Sequence, residues 1–151
     1  MIHSRLATIE DSDELLNWRN DVVTRNSFFN KKVINKIDHE KWFKKILSSK
    51  TSIVVILFED HDKIGVVRYD LIKKLINVSI NINPLFRQKG YGSKMLIESE
   101  PHIHKNSCFK KDKIIAKIIK ENIASVKVFK KAGYQLESEE KRYFIYAKEI
   151  K

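Results

Sequence analysis

The stretch Leu75-Ile76-Asn77-Val78-Ser79-Ile80-Asn81-Ile82-Asn83-Pro84-Leu85-Phe86-Arg87-Gln88-Lys89-Gly90-Tyr91-Gly92-Ser93 decides the fold. From Leu75 to Ile82 it alternates, with Ile76, Val78, Ile80 and Ile82 on one face and Asn77, Ser79 and Asn81 on the other. Period-two alternation makes a strand with one apolar and one polar face, and the short polar side chains suit open water or a wet cleft equally. Asn83-Pro84 ends the strand, because proline has no N–H to give to a ladder. A helix then starts near Ser93. Backbone N–H groups at a helix start carry partial positive charge and point outward, which makes an anion site. Gly90 and Gly92 carry no Cβ and let a diphosphate approach the main chain, while Arg87 and Lys89 add fixed charge. The turn is not a P-loop, which needs Gly-Lys-Ser/Thr, nor the dinucleotide fingerprint, which needs a third glycine.

Working outward, Ser52 to Phe58 and Lys63 to Tyr69 flank the polar turn Glu59-Asp60-His61-Asp62 and read as an antiparallel hairpin. Downstream, Lys113 to Ile119 is an apolar strand, joined to Leu75–Ile82 by a helical crossover and therefore parallel to it. Asn122 to Ala132 is helical, with Ile123, Val126 and Phe129 on one side and Gly133 as its stop. Tyr134 to Glu139 and Lys141 to Lys148 close the chain as an antiparallel pair. At the other end, Ile2 to Ile9 reads as a strand, and Asp11 with Glu14 as a capping box for a short helix bearing Leu15, Leu16 and Trp18. Asp38 is the expected cap of a second helix carrying Trp42, Phe43, Ile46 and Leu47, with Arg19 to Ile37 irregular between them. The sum is a mixed α/β sheet.

The length of 151 residues fits one domain, taken as 1–151. A single cysteine, Cys108, excludes an internal disulfide framework and a multi-cysteine metal site, and no metal is expected. The longest apolar run, Ile53 to Phe58, is too short to span a membrane, and Met1 to Arg5 has no signal-peptide character. The expectation is a soluble, cytoplasmic protein with no membrane partner. The formal charge of +11 attracts anions, yet lysines are scattered in pairs along the chain, as coding bias alone also produces. No helix-turn-helix, RNA-recognition or zinc-finger pattern accompanies that charge, so no nucleic-acid partner is expected.

The run from Ile80 to Gly92 resembles motif A of the GCN5-related N-acetyltransferases (GNAT), Arg/Gln-x-x-Gly-x-Gly/Ala. Glu121-Asn122-Ile123-Ala124-Ser125-Val126-Lys127-Val128-Phe129-Lys130-Lys131-Ala132-Gly133-Tyr134 is similar to motif B of that family. The resemblance implies a mixed, mostly antiparallel sheet of about seven strands with a central splayed parallel pair, and about four helices. It implies acetyl-CoA as co-substrate. The pyrophosphate lies on the N–H groups of Gln88, Lys89, Gly90, Tyr91, Gly92 and Ser93 beside Arg87. The pantetheine runs along Ile80 and Ile82, where a bulged strand leaves a V-shaped slot. Asn122 and Ser125 hydrogen-bond the pantetheine arm, and the N–H of Ile82 stabilises the oxyanion. Phe129, counted with the cofactor contacts, stands where many members carry a tyrosine as general acid.

That substitution leaves the proton donor open among Tyr91, Tyr143 and Tyr146, or leaves the thiolate to depart unaided, as its pKa near 8–9 permits. His39 is the candidate base, with Ser79 or Asn81 positioning a water. Cys108 falls away from the proposed thioester site. For the acceptor, Trp18-Arg19-Asn20-Asp21, then Arg25-x-Ser27-Phe28 and His39-x-x-Trp42-Phe43, resemble a bacterial subgroup that acetylates amino groups of nucleotide-linked sugars in surface-glycan pathways. Arg19, Arg25 and Arg68 then pair the diphosphate, and Trp18, Trp42 or Tyr69 stack on base or sugar. The same Trp-Arg-Asn pattern occurs in acetyltransferases of ribosomal-protein N-termini, and a non-catalytic acetyl-CoA-binding module is the other alternative. The chain is expected to be a monomer or a homodimer.

Overall fold

The computed structural model describes residues 1–109 and 113–150. The elements follow in the order β1 (Ile2–Leu6), α1 (Ser12–Asn20), α2 (Val22–Asn26), α3 (Lys36–Ser48), β2 (Ser52–Glu59), β3 (Asp62–Ile72), β4 (Leu75–Ile82), α4 (Tyr91–Ser99), α5 (Pro101–His104), β5 (Lys113–Ile119), α6 (Ile123–Lys131), β6 (Gln135–Glu139) and β7 (Tyr143–Glu149). The strands form one seven-stranded sheet in the order β1-β2-β3-β4-β5-β7-β6. Every neighbouring pair is antiparallel except the central β4–β5 pair. The expected GNAT-type mixed sheet is the observed one. Pro101 ends α4 as anticipated, and the chain continues into the single turn α5.

Two cores sandwich the sheet. On one face, Met95 and Leu96 of α4 and Phe129 of α6 bury Ile53, Val55, Leu57, Val67, Ile76, Val78, Ile114, Ala116 and Ile118. On the other, Leu15 and Trp18 of α1 and Phe43 of α3 cover Val54 and Ile56. Strand β2 is covered on both faces, which explains its unbroken apolar run. The second core is smaller and includes polar groups at its edges: Asp11, Ser12, Thr24 and His39 are all buried.

Three local expectations change near the N-terminus. Asp11 does not cap α1 with Glu14. Its carboxylate accepts from both Arg5 Nη atoms (2.8 and 2.9 Å), from Lys63 Nζ (2.9 Å) and from the Thr8 N–H (2.8 Å). Burial pushes that carboxyl up, but these donors outweigh it and hold the group well below the usual carboxylate range. The demand of two cations for one buried anion overrides the local capping pattern. Asn35, not Asp38, caps α3: its Oδ1 accepts from the Asp38 N–H at 2.8 Å, and its Nδ2 donates to Asp38 Oδ2 at 2.8 Å. Asp38 is therefore the third helical residue. Finally, the segment Arg19 to Ile37 is not wholly irregular. It contains the end of α1 and the one-turn helix α2.

Candidate active site

Strand β4 pairs with β3 along its whole length, from Leu75 opposite Ile72 to Ile82 opposite Gly65, in one constant register. With β5 it pairs only at Ile76–Ile114 and Asn77–Ile115, after which the two parallel strands part. The splayed slot is therefore present without the expected bulge: the β3–β4 register never shifts, and the opening comes from β5 diverging. The N–H of Asn83 donates to Ile64 O of the β3 side at 2.8 Å. Peptide groups of successive strand residues point to opposite edges, so those of Ile80 and Ile82 face the slot.

The slot runs toward the start of α4. Gln88 and Gly90 both take left-handed backbone (φ 60° and 79°), which turns the chain sharply before the helix. No side chain caps α4, whose first N–H groups, from Tyr91 to Ser93, are left for an anion. A Cβ on Gly90 meets nothing within 4 Å, so its role is conformational and its surroundings are open. Gly92 is different. A Cβ there would lie 2.8 Å from Val128 Cγ2 and 2.9 Å from Cγ1, so this glycine lets α4 and α6 pack together and leaves no room for a phosphate at its α-carbon. Arg87 is also corrected: its guanidinium turns away from the turn to Asp21 and to Thr24 Oγ1 (2.6 Å). Lys89 Nζ lies 5.4 Å from the Phe86 ring, and the Tyr91 ring meets Phe86 edge-on at 5.9 Å. Ser93 is buried.

Across the slot, Asn122 Oδ1 accepts from the Ser125 N–H at 3.1 Å and caps α6, so these two residues stand together at the helix start. Phe129 is withdrawn. It is 3% exposed and packs edge-on against Tyr134 at 5.0 Å inside the larger core, so apolar burial, not cofactor contact, explains a phenylalanine here.

Of the residues expected at the acceptor, Arg68 and the Trp42 ring beside it lie on the face of the β3–β4 ladder that carries Asn77, Ser79 and Asn81. Arg68 is opposite Ser79 in the β3–β4 ladder, bonds Asp70 through Nε at 2.8 Å, and holds its guanidinium 5.1 Å from the Trp42 ring. Arg19 lies 4.1 Å over the Phe28 ring and donates Nη2 to Asn30 O at 2.7 Å, while its Nη1 is buried with no partner among the described residues. Arg25 donates Nε to Asn20 O at 3.0 Å and Nη1 to Lys31 O at 3.3 Å. Burial, then the nearby Arg25 and Arg68, lower the pKa of Arg19. Three guanidinium groups thus share one region. Two stacking candidates are corrected. Trp18 is a core residue at 6% exposure. Tyr69 is fully buried on the opposite face, its hydroxyl 2.7 Å from Ser99 Oγ, and burial raises its pKa. Trp42 remains exposed. Asn20 was not singled out as a site residue, yet its side chain brackets the following loop, donating to Ile34 O (2.7 Å) and accepting from the Ile34 N–H (2.8 Å).

A sequence profile of the acetyltransferase (GNAT) domain matches residues 3–135. The chain belongs to the GNAT family. No curated protein matches it in sequence. Its fold is similar to aminoglycoside acetyltransferase AAC(6')-Ib in complex with coenzyme A, at 14% identity and a TM-score of 0.82, covering 99% of this chain and 95% of that one. It is similar to a domain from Methanocaldococcus jannaschii, at 20% identity and a TM-score of 0.80, with 99% of each chain covered. A GNAT-family acetyltransferase from Streptococcus pneumoniae aligns over 100% of both chains at 20% identity and a TM-score of 0.73.

In this acetyltransferase the catalytic candidates separate by exposure. His39 is 4% exposed, its ring stacked on Phe43 at 5.7 Å and 18°, and its Nε2 has no partner among the described residues. Burial lowers its pKa, and the ring sits in the core closed to an acceptor, which corrects its reading as general base. Ser79 and Asn81 are only half-buried. Tyr146 is buried in the larger core, and Tyr91 packs at the turn before α4. Tyr143 lies on the other face of β7, edge-on to Phe29 at 5.6 Å and 5.6 Å from Lys117 Nζ. Cys108 is exposed and free. Among the described residues no cluster of three or more His, Cys, Asp and Glu side chains could hold a metal, and no helix is long and apolar enough to cross a membrane.

Proposed function

We propose that this single domain transfers the acetyl group of acetyl-CoA directly to the primary amine of a small nucleotide-linked amino sugar, in the cytoplasm. The observation that carries the transfer is the parting of β4 and β5 beyond Asn77, with the peptide groups of Ile80 and Ile82 turned into the gap beside the uncapped start of α4. A pantetheine arm needs such an unpaired strand edge, and a diphosphate needs such a helix start. Gln88 to Ser93 hold the diphosphate through main-chain N–H groups, and Asn122 and Ser125 face the arm. Acetyl-CoA supplies an activated acetyl on a thioester. The Ile82 N–H, fixed by the ladder, stabilises charge developing on the carbonyl oxygen at no cost in reorganisation. With His39 buried, the acceptor ammonium loses its proton through water held by Ser79 and Asn81 to bulk solvent. The neighbouring guanidinium groups favour the neutral amine there. The amine then forms the C–N bond as the C–S bond breaks, and coenzyme A leaves as the thiolate, as its pKa near 8–9 permits.

Arg19, Arg25 and Arg68 support the acceptor class. Among the described residues Asp70, held by Arg68, is the carboxylate bonded to this set, and the buried Arg19 Nη1 finds no acceptor there. An acceptor bearing a diphosphate matches this charge. A polycation such as the kanamycin bound in one structural neighbour does not. Turnover of acetyl-CoA against UDP-linked amino sugars, N-terminal peptides, kanamycin and polyamines tests the reading. Activity on a UDP-amino sugar is expected, activity on peptides alone overturns the acceptor class, and failure to bind acetyl-CoA overturns the whole assignment.

A further inference from the structure

Arg87 opens the diphosphate turn in sequence, yet its side chain leaves it. One Nη2 atom donates to Asp21 Oδ2 and to Thr24 Oγ1, contacts that span 66 and 63 positions of the chain. Asp21 is at the same time the cap of α2, accepting from the Thr24 N–H at 3.2 Å. The hydrogen bond from Arg87 holds the Asp21 carboxyl below the ordinary carboxylate range.

Helix α2 has few other means of staying in place. A single turn of five residues is not stable by itself. Its apolar side chains, Val22 and Val23, are 60% and 58% exposed and anchor nothing, and its buried residue is Thr24. The adjoining polar bonds lead on to the acceptor region. Arg25, next after Thr24, ties Asn20 O and Lys31 O, and Arg19 ties Asn30 O. A continuous set of contacts therefore runs from the diphosphate turn through Arg87, Asp21 and Thr24 to the acceptor arginines. On the other side, Gln88 holds an unfavourable left-handed backbone directly after Arg87, a conformation that needs its neighbour anchored.

The geometry points to Asp21 and Thr24 as positioning residues that hold the diphosphate turn and the acceptor arginines together, so that filling one site orders the other. This rests on the slot being the acetyl-CoA site. Linkage makes the effect reciprocal: a ligand that steadies Arg87 steadies α2, and an acceptor that steadies α2 improves the turn.

The test uses the intact protein, coenzyme A as probe and amide hydrogen exchange as readout. In the unaltered protein, coenzyme A slows exchange at residues 88–93 by direct contact and at residues 20–35 by about tenfold through the clamp. Asp21→Asn keeps a good helix cap but removes the charge that Arg87 pairs. Thr24→Val removes the second acceptor and keeps the shape. In both variants protection at residues 88–93 persists and the protection at residues 20–35 disappears. Undiminished protection of residues 20–35 in both variants overturns the clamp. Protection confined to residues 88–93 in the unaltered protein also overturns it, and leaves the acetyl-CoA reading standing. Absence of coenzyme A binding to the unaltered protein overturns that reading and the clamp with it.

Discussion

The two halves of the site are built from different materials. On the side proposed for acetyl-CoA, the groups on offer are main-chain N–H groups of Ile80, Ile82 and the turn into α4, placed by strand pairing and by two left-handed residues. On the side proposed for the acceptor, they are the side chains of Arg19, Arg25 and Arg68, each of which uses hydrogen bonds to hold its own surroundings. The first half tolerates changes of side chain that leave the backbone path intact. The second couples recognition to the order of the loop after α2, because Arg19 and Arg25 bond Asn30 O and Lys31 O. A backbone-built site serves a co-substrate shared across a family, whereas a side-chain-built site is free to diverge.

The comparison is most easily broken at Gly92. A valine there collides with Val128, and overpacking of this kind costs about 1–3 kcal/mol, read as a lower denaturation midpoint. Val128→Ala in the same chain should recover part of that loss. A Cβ added at Gly90 meets nothing within 4 Å, so Gly90→Ala should show the strain of its left-handed backbone together with weaker coenzyme A binding. Equal behaviour of the two variants would remove the distinction between a packing glycine and a turn glycine.

On the acceptor side, Arg19→Ala should raise the KM for a UDP-amino sugar by an amount worth about 1.5–3 kcal/mol, as for hydrogen bonds to a charged group. Its affinity for coenzyme A should change far less, through the coupling at Arg87 alone. A drop in kcat with KM constant would mean that Arg19 acts on the reacting atoms, contrary to a binding role.

The smallest effect concerns His39. The buried ring resists protonation, whereas in the unfolded chain it takes a proton at its ordinary pKa of about 6.5. Stability is therefore fully present above that value and falls as pH drops through it toward the depressed folded value. His39→Phe should flatten the dependence of the denaturation midpoint between pH 7 and 5 and keep turnover. Loss of turnover with an unchanged midpoint would restore His39 as the base.

How much was legible before the structure follows the same division. The β4 alternation, Pro84 and the glycine spacing depend on neighbours one to four residues apart, so the strand, its end and the turn into α4 were readable. So was the parallel pairing of β4 with β5, since the crossover rule restricts it, whereas the place of β7 between β5 and β6 was not. Gly92 misled because a missing Cβ serves a phosphate and a helix contact equally, and only the position of Val128 tells them apart. Phe129, Tyr69, Trp18 and His39 were each credited with chemistry that burial then withdrew.

What the chain determined by itself is the alternation that makes β4 a strand, the backbone turn into α4, the covered run of β2 and a cationic surface. These are consequences of local periodicity, of the conformational freedom of glycine and of composition. What only the tertiary structure decided is which partner each polar group found. Asp11 was drawn from a local cap to Arg5 and Lys63, Arg87 from the diphosphate turn to Asp21 and Thr24, and Arg19 to Phe28 and Asn30. The physical reason is that a buried or half-buried charge takes the strongest partner that folding brings within reach. The identity of that partner depends on residues far away in sequence, which local spacing does not encode.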